Sequence, residues 1–318
     1  MWTEYDRASP EDIGLPLTTP FALRNDLMLA ALAKVRSVDI ALASSSADHA
    51  NDTDLPRLIK AAEDLGHRAQ IVVWDDPSVD WAAFDRVAIR SCWDYTKRRE
   101  EFLRWTKQVG SRLVNFPEVI SWNSDKVYLR DLAAAGVAII PTFWDIDSST
   151  DLGDYASWVV KPTISAGAAN TAHWTDPEAA VRHSLELLAA GRSTMAQPYV
   201  KSIDTVGEFA IYMFNGEFSH AVRKPALLEA DRSPDAEISF PGGLRAITID
   251  EQLLRFAHDT VAAAEAVLEQ SLVQARVDVV LDDDGRGQLM ELELVEPALF
   301  LDHEPEAAAR YIDAVATS

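Results

Sequence analysis

Ala275-Arg276-Val277-Asp278-Val279-Val280-Leu281 and, after a short polar break, Gln288-Leu289-Met290-Glu291-Leu292-Glu293-Leu294-Val295 decide the fold of this chain. Both runs have strand composition. The intervening Asp282-Asp283-Asp284-Gly285-Arg286-Gly287 supplies glycines for a hairpin connection. Side chains two apart leave a strand on one face, so Arg276 and Asp278 share a face, as do Glu291 and Glu293. One arginine and three carboxylates then converge on an antiparallel pair. Carboxylates so grouped repel one another unless a cation sits among them, and hard oxygen ligands suit Mg²⁺ or Mn²⁺. The competing reading is a solvated sheet face. Against it, the charges alternate with Val277, Val279, Leu292 and Leu294 in strands that are otherwise strongly apolar. Asp278, Glu291 and Glu293 are therefore the expected metal ligands.

The rest of the sequence narrows the chemistry. At 318 residues, 48% hydrophobic and 25% charged, the chain suits an ordinary globular protein of two or three domains. A net charge of −22 argues against nucleic acid or an anionic membrane as partner, and makes local Lys and Arg clusters more telling. The single cysteine, Cys92, cannot form an internal disulfide and fits a reducing cytoplasm. No apolar run reaches membrane-spanning length, and residues 1–26 lack the regions of a signal peptide.

Residues 1–36 read as a polar, Pro-rich extension with a helix at 21–34. Strands at 38–43, 68–74, 85–91 and 113–115 alternate with helices at 55–65 and 100–109, which implies a parallel sheet with helices on its faces. Ligands of such sheets lie beyond the carboxyl ends of the strands. Ser91-Cys92-Trp93-Asp94-Tyr95 occupies such an end, as a substrate loop or as an aromatic cap over the sheet edge. A helix at 125–135, strands at 138–140, 158–161 and 194–200, and a helix at 178–190 form a small central α+β unit. Strands at 208–214 and 217–223 flank the Asn215-Gly216 turn, and Pro241-Gly242-Gly243 lies in the loop that follows. A helix at 251–268, the carboxylate hairpin and a helix at 305–315 complete the chain.

Several residues could serve an anionic ligand. Lys161 ends an apolar strand just before the small-residue loop Ser165-Ala166-Gly167-Ala168-Ala169-Asn170-Thr171, whose backbone N–H groups and hydroxyls can approach phosphate oxygens. Lys126 could reach the same phosphates from the other side, or be a plain surface lysine. Pro198 removes a donor in Gln197-Pro198-Tyr199-Val200, which would suit a linker whose free backbone groups read an adenine edge. Glu208 could accept from ribose hydroxyls or be a surface carboxylate. Lys224, next to Arg223, and Arg245 offer positive charge near the expected metal, for a transferring phosphate or a substrate carboxylate. There is no P-loop, no Gly-x-Gly-x-x-Gly and no Ser–His–Asp pattern.

In this order, Lys126, Val-Val-Lys161-Pro with its loop, Gln197-Pro-Tyr-Val, Glu208, Arg276-Val-Asp278 and Glu291-Leu-Glu293 resemble the ATP-grasp superfamily. Within it the chain looks most like the glutathione synthetase and RimK-like branch. Ser-Cys-Trp93-Asp-Tyr, Phe218-Ser-His-Ala-Val-Arg-Lys224 and Met-Glu-Leu-Glu-Leu-Val-Glu296-Pro297 are similar to the cyclo-ligase group that forms D-cycloserine from O-ureidoserine. The resemblance implies a parallel-sheet domain at 37–125, a lid domain at 126–200 and an antiparallel-sheet domain at 201–318. It implies ATP phosphates on Lys126 and Lys161 under the loop of Ser165 and Gly167. Adenine would lie at Gln197, Tyr199 and Val200, with the ribose at Glu208. Two Mg²⁺ would sit on Asp278, Glu291 and Glu293, and Arg276, with Lys224 and Arg245 near it, would steady the transferring phosphoryl group. It also implies a homodimer. Two departures stand out: many relatives carry Asn where Glu293 stands, and the loop is poor in glycine.

The expected activity is an ATP-dependent ligase that activates a carboxylate as an acyl phosphate and forms a C–N bond, between molecules or within one. A phosphotransferase that stops after phosphorylation and a nucleotide-binding protein without turnover are the other two readings. Trp93, Tyr95, Arg223, Lys224 and Arg245 are expected to line a pocket for a small, polar, amino-acid-like acid.

Overall fold

The structure is a computed structural model and describes residues 36–235 and 242–318. The expected helix at 21–34 and Pro241 lie outside the described residues. Strands β1 (Asp39–Ser44), β2 (Arg68–Val73) and β3 (Arg86–Ile89) run parallel in the order β2-β1-β3. Ile40, Ala41, Leu42 and Ala43 of β1 are all buried, as the middle strand of a covered sheet requires. Helix α1 (Leu55–Asp64) supplies the crossover from β1 to β2. Helix α2 (Arg99–Val109) packs Phe102, Trp105 and Val109 into a core with Trp74, Trp81 and Ile89.

The expected strand at 113–115 shrinks to one parallel bridge, Val87 with Leu113. The reason lies at Asn115, which turns the chain at φ +57. Asparagine tolerates this left-handed backbone, and its side chain finds four backbone partners. Its Nδ2 donates to the carbonyls of Gln274 and Leu294, while its Oδ1 accepts from the N–H groups of Val273 and Gln274. Helix α3 (Pro117–Asn123) follows, with a proline in its first turn, a start signal the sequence carries openly. The expected helix at 125–135 is α4 (Tyr128–Ala134), so Lys126 occupies the turn before it.

A second, antiparallel sheet holds β4 (Phe143–Trp144), β5 (Trp158–Pro162), β6 (Ala172–Trp174) and β7 (Thr194–Pro198) in the order β4-β7-β5-β6. Trp158, Val160 and Ala196 face helix α5 (Pro177–Ala189) and cluster with its Ala180. Pleating sends Val159, Lys161, Met195 and Gln197 to the other face.

Past the short helix α6 (Ser202–Thr205), a third sheet forms from β8 (Glu208–Phe214), β9 (Glu217–Lys224), β10 (Arg245–Ala246), β11 (Gln274–Leu281) and β12 (Gly287–Glu293). Its order is β10-β9-β8-β11-β12, and its pairings are antiparallel. Ile211, Met213, Val277 and Val279 pack against Leu253, Ala257 and Val261 of helix α7 (Glu251–Leu268). Gly207 enters β8 at φ +87, where a Cβ would come within 2.6 Å of the Lys224 carbonyl, so only glycine fits. Helix α8 (Ala307–Thr317) closes the chain over α1 and β8. Among the described residues no helix is long and apolar enough to cross a membrane.

One buried histidine gives this fold an acid limit. The Nε2–H of His220 donates to the Leu299 carbonyl at 2.9 Å, and its ring stacks on Tyr212 with centroids 4.1 Å apart. Burial pushes this imidazole down to about 4 from its ordinary 6.5. Between those values the unfolded chain binds the proton and the folded one does not. The stability His220 contributes is therefore complete above pH 6.5 and lost as pH falls toward 4, by up to about 3 kcal/mol. Urea midpoints should drop from pH 7 to pH 5, and His220→Gln should flatten that dependence.

Candidate active site

The face of the third sheet turned away from α7 carries the charge. Arg276 pairs across the hairpin with Glu293, and Asp278 with Glu291. The register slips between Asp278 and Val279, leaving Met290 as an extra residue on β12. Such a bulge re-aims neighbouring side chains, and here it lies beside Glu291. The Arg276 guanidinium grips Asp278 through Nε and Nη2, both at 2.8 Å, and also contacts Glu293. Lys224 donates to Asp278 at 2.9 Å and reaches Glu208, its register partner on β8. Asp278 is 1% exposed. Burial would raise its acid, but Arg276 and Lys224 outweigh that and hold it at about 2. Burial pushes Glu208 up to about 8. Glu293 is raised as well, by burial and by its carboxylate neighbours Glu291 and Asp278.

The free edge of β12 is held by side chains that mimic a neighbouring strand. Asn123 donates to the Leu292 carbonyl at 2.8 Å and accepts from the Leu294 N–H at 2.7 Å. The Tyr128 hydroxyl accepts from the Leu292 N–H at 2.8 Å. Ile140 and Ala138 bond the Leu289 backbone. Glu291 and Glu293 are thus fixed on a strand whose backbone polar groups are satisfied on both sides.

Lysines arrive from the second sheet and from the turn before α4. Lys126 contacts Glu291 at 3.0 Å and donates to the Ser165 carbonyl at 2.8 Å, so it ties the carboxylate hairpin to the small-residue loop. Lys161 is buried on β5, and its ammonium forms no ion pair or hydrogen bond among the described residues. Burial lowers its ammonium pKa, although Glu291 pulls the other way. In the loop, Gly167 takes φ +59, but Ala168 takes φ +57, where a side chain costs about 1 kcal/mol. Arg192 bonds Asn170 and so secures the end of this glycine-poor loop.

At the end of β7, Gln197 is buried on the same pleat face as Lys161 and donates to the Thr142 hydroxyl at 3.0 Å. The Tyr199 N–H bonds the Ser157 carbonyl, its ring stacks on His173 at 3.9 Å, and its hydroxyl donates to Asp204. Val200 follows, half-buried. Tyr95 is buried against Phe102, and Cys92 is fully buried with its thiol donating to the Ala43 carbonyl.

The structure thus gathers two bonded groups, Lys126 with Ser165 and Glu291, and Lys224 with Glu208, Asp278, Arg276 and Glu293, side by side through the Asp278–Glu291 strand pairing. It does not gather two of the expected cations. Arg223 alternates with Lys224 onto the opposite pleat face and donates to the Thr205 carbonyl. Arg245 pairs through its backbone with Arg223 and is exposed, without an ion pair among the described residues. Sequence reasoning gave no role to Asn123, Tyr128 and Glu296. Polar residues at 123–125, directly before Lys126, were the available signal for the first.

Among the described residues no group of three acidic, His or Cys side chains closes into a metal cage. Each carboxylate leans instead on a cation: Asp278 on Arg276 and Lys224, Glu291 on Lys126, Glu293 on Arg276. The donors are all hard oxygens on one strand pair, which fits a divalent ion that arrives with its own anionic ligand.

A parallel sheet followed by two antiparallel sheets, with Lys126 linking the carboxylate hairpin of the third sheet to the loop between β5 and β6, is the architecture of an ATP-grasp ligase. The ATP-grasp ligase PsnB, solved with Mg and ADP, shares it at TM-score 0.60 over 87% of this chain and 97% of that one, at 15% identity. The description "D-cycloserine synthetase DcsG, N-terminal domain" fits residues 40–115. Cycloserine biosynthesis protein DcsG of Streptomyces lavendulae is 33% identical over 295 residues, 87% of this chain and 97% of its own. The crystal structure of D-cycloserine synthetase DcsG matches at TM-score 0.79 and 34% identity, over 88% of this chain and 99% of that one. The chain belongs to the D-cycloserine synthetase group of the ATP-grasp family, ATP-dependent ligases that form carbon–nitrogen bonds.

Proposed function

We propose that this ligase activates the carboxylate of a small, amino-acid-like acid of ureido type as an acyl phosphate and closes a C–N bond within the same molecule. One observation carries the reading: Arg276 and Asp278 lie in register with Glu293 and Glu291, with Lys126 bonded to Glu291 and Lys224 to Asp278. The names of the relatives support ring formation, since D-cycloserine is a cyclic amide-type product.

In this reading Lys126 and Lys161 bind the ATP phosphates beneath the Ser165 and Gly167 loop. Gln197, Tyr199 and Val200 border the adenine, and Glu208 the ribose. Asp278, Glu291 and Glu293 would hold Mg²⁺, or Mn²⁺ in its place, which would neutralise charge on the phosphates. A carboxylate oxygen of the acid attacks the γ-phosphorus and ADP leaves. Arg276 meets the charge on the phosphoryl in flight, and Lys224 stands beside it. The ligand's own nitrogen then attacks the activated carbonyl and loses its proton, and phosphate departs with one former carboxylate oxygen. Positioning favours closure because both reacting groups belong to one molecule, and the loop over the site keeps water from the acyl phosphate.

Lys161 offers a clean check. A buried ammonium with no partner costs the fold stability, and it becomes useful when an anion arrives. Lys161→Met should leave the urea midpoint unchanged or higher while weakening AMP-PNP binding by about tenfold or more in calorimetry. Unchanged binding would remove the phosphate role from Lys161. The activity itself is tested by ADP release across amino acids and their ureido derivatives, with product mass separating ring closure from a released phosphate ester.

A further inference from the structure

Glu296 stands apart from every other acid around the site. The segment that carries it has no regular structure, yet five buried side chains from separate parts of the fold fix it in place. Gln274 donates to the Val295 carbonyl at 3.1 Å, Arg90 to the Pro297 carbonyl at 2.9 Å and the Tyr212 hydroxyl to the Ala298 carbonyl at 2.6 Å. Asp54 accepts from the N–H groups of Leu299 and Leu301, and His220 donates to the Leu299 carbonyl. The backbone on both sides of Glu296 is pinned, while its own half-buried carboxylate accepts no hydrogen bond and joins no ion pair among the described residues.

The bonds to Val295 and Pro297 place Glu296 between Gln274 at the start of β11 and Arg90 just past the end of β3, three residues beyond Glu293. After burial, the charge of Glu296 is the strongest influence raising the Cys92 thiol and the Tyr95 phenol. Burial and then Glu293 push Glu296 itself up to about 8, while Lys126 and Arg276 pull it down. Those cations are already engaged, Lys126 by Glu291 and Arg276 by Asp278 and Glu293. Among the described residues, the one acid of this group without a counter-charge therefore sits between β11, which carries Arg276, and the end of β3, from which the Trp93–Tyr95 loop leaves. A ligand that brings its own positive charge to that point would complete the set.

We infer that Glu296 is the specificity residue that receives the ammonium group of the substrate, so that this ligase takes amino acids in preference to the same acids without the α-amino group. The inference rests on the ligase reading above and adds the substrate's second functional group. The rigid segment sets where the ammonium sits, and with it how the carboxylate to be activated is presented to Arg276.

The test uses the full chain with AMP-PNP and Mg²⁺. Calorimetry compares O-ureidoserine with its deamino analogue, 3-(ureidooxy)propanoic acid, on the wild type, Glu296→Gln and Glu296→Ala. Loss of one partner of a desolvated charge pair weakens binding by about 30-fold or more. O-ureidoserine should thus lose that much in both variants, the deamino acid should bind all three proteins alike, and AMP-PNP affinity should not move. A wild type that binds the two acids equally, or neither, overturns the assignment, as does a Glu296→Gln variant that keeps the preference. Failure of the ligase reading would look different: the binding preference would persist, but with ATP in place of AMP-PNP no ADP would be released.

Discussion

Arg276→Ala is expected to lower kcat by about 10³-fold or more while ATP affinity shifts by less than about tenfold, because an arginine on a transferring phosphoryl acts mainly in the transition state. The arginine is 6% exposed and holds Asp278 and Glu293 together, so the fold must be shown to survive its loss. It should, because Asp278 keeps Lys224 as a counter-charge. Asp278→Asn is expected to abolish turnover similarly, since it leaves Arg276 and Lys224 without their shared anion. AMP-PNP calorimetry beside ADP release separates the two effects. Equal losses in binding and turnover would reduce Arg276 to a nucleotide-binding residue.

The second large effect is structural. Asn115→Leu should cost at least about 3 kcal/mol, because its four backbone partners at Val273, Gln274 and Leu294 would be left buried and unpaired. A branched side chain at φ +57 adds strain. This residue ties the end of the parallel-sheet region to β11 and the segment leaving β12. Urea denaturation reads the loss directly, and a change under about 1 kcal/mol would show that the linkage relaxes without harm.

Much of this architecture was legible in the sequence. Period-two alternation placed Arg276, Asp278, Glu291 and Glu293 on one face, because a strand with one covered face allows only one register. Helix α7 was read to its ends, with Asp250 accepting from the Leu253 N–H as its N-cap. What escaped depends on long-range contact. The short strands β4 and β6 exist only because β7 and β5 are there to pair with them. The Met290 bulge leaves no mark in composition. Arg245 looked close to the site in sequence, but pleating and exposure set it apart, since nearness along the chain does not fix a strand's face. Glu296 was visible only as part of a motif, and its isolation among paired charges needs coordinates to be seen.

The most direct measurement is the fate of the substrate's carboxylate oxygens. With O-ureidoserine labelled with ¹⁸O in its carboxyl group, turnover in ordinary water should release inorganic phosphate that carries one ¹⁸O, because the acid attacks the γ-phosphorus and phosphate later departs with that oxygen. Phosphate without the label, formed at the same rate as product, would mean that the carboxylate is never phosphorylated and would contradict the role given to Arg276 and the carboxylate hairpin.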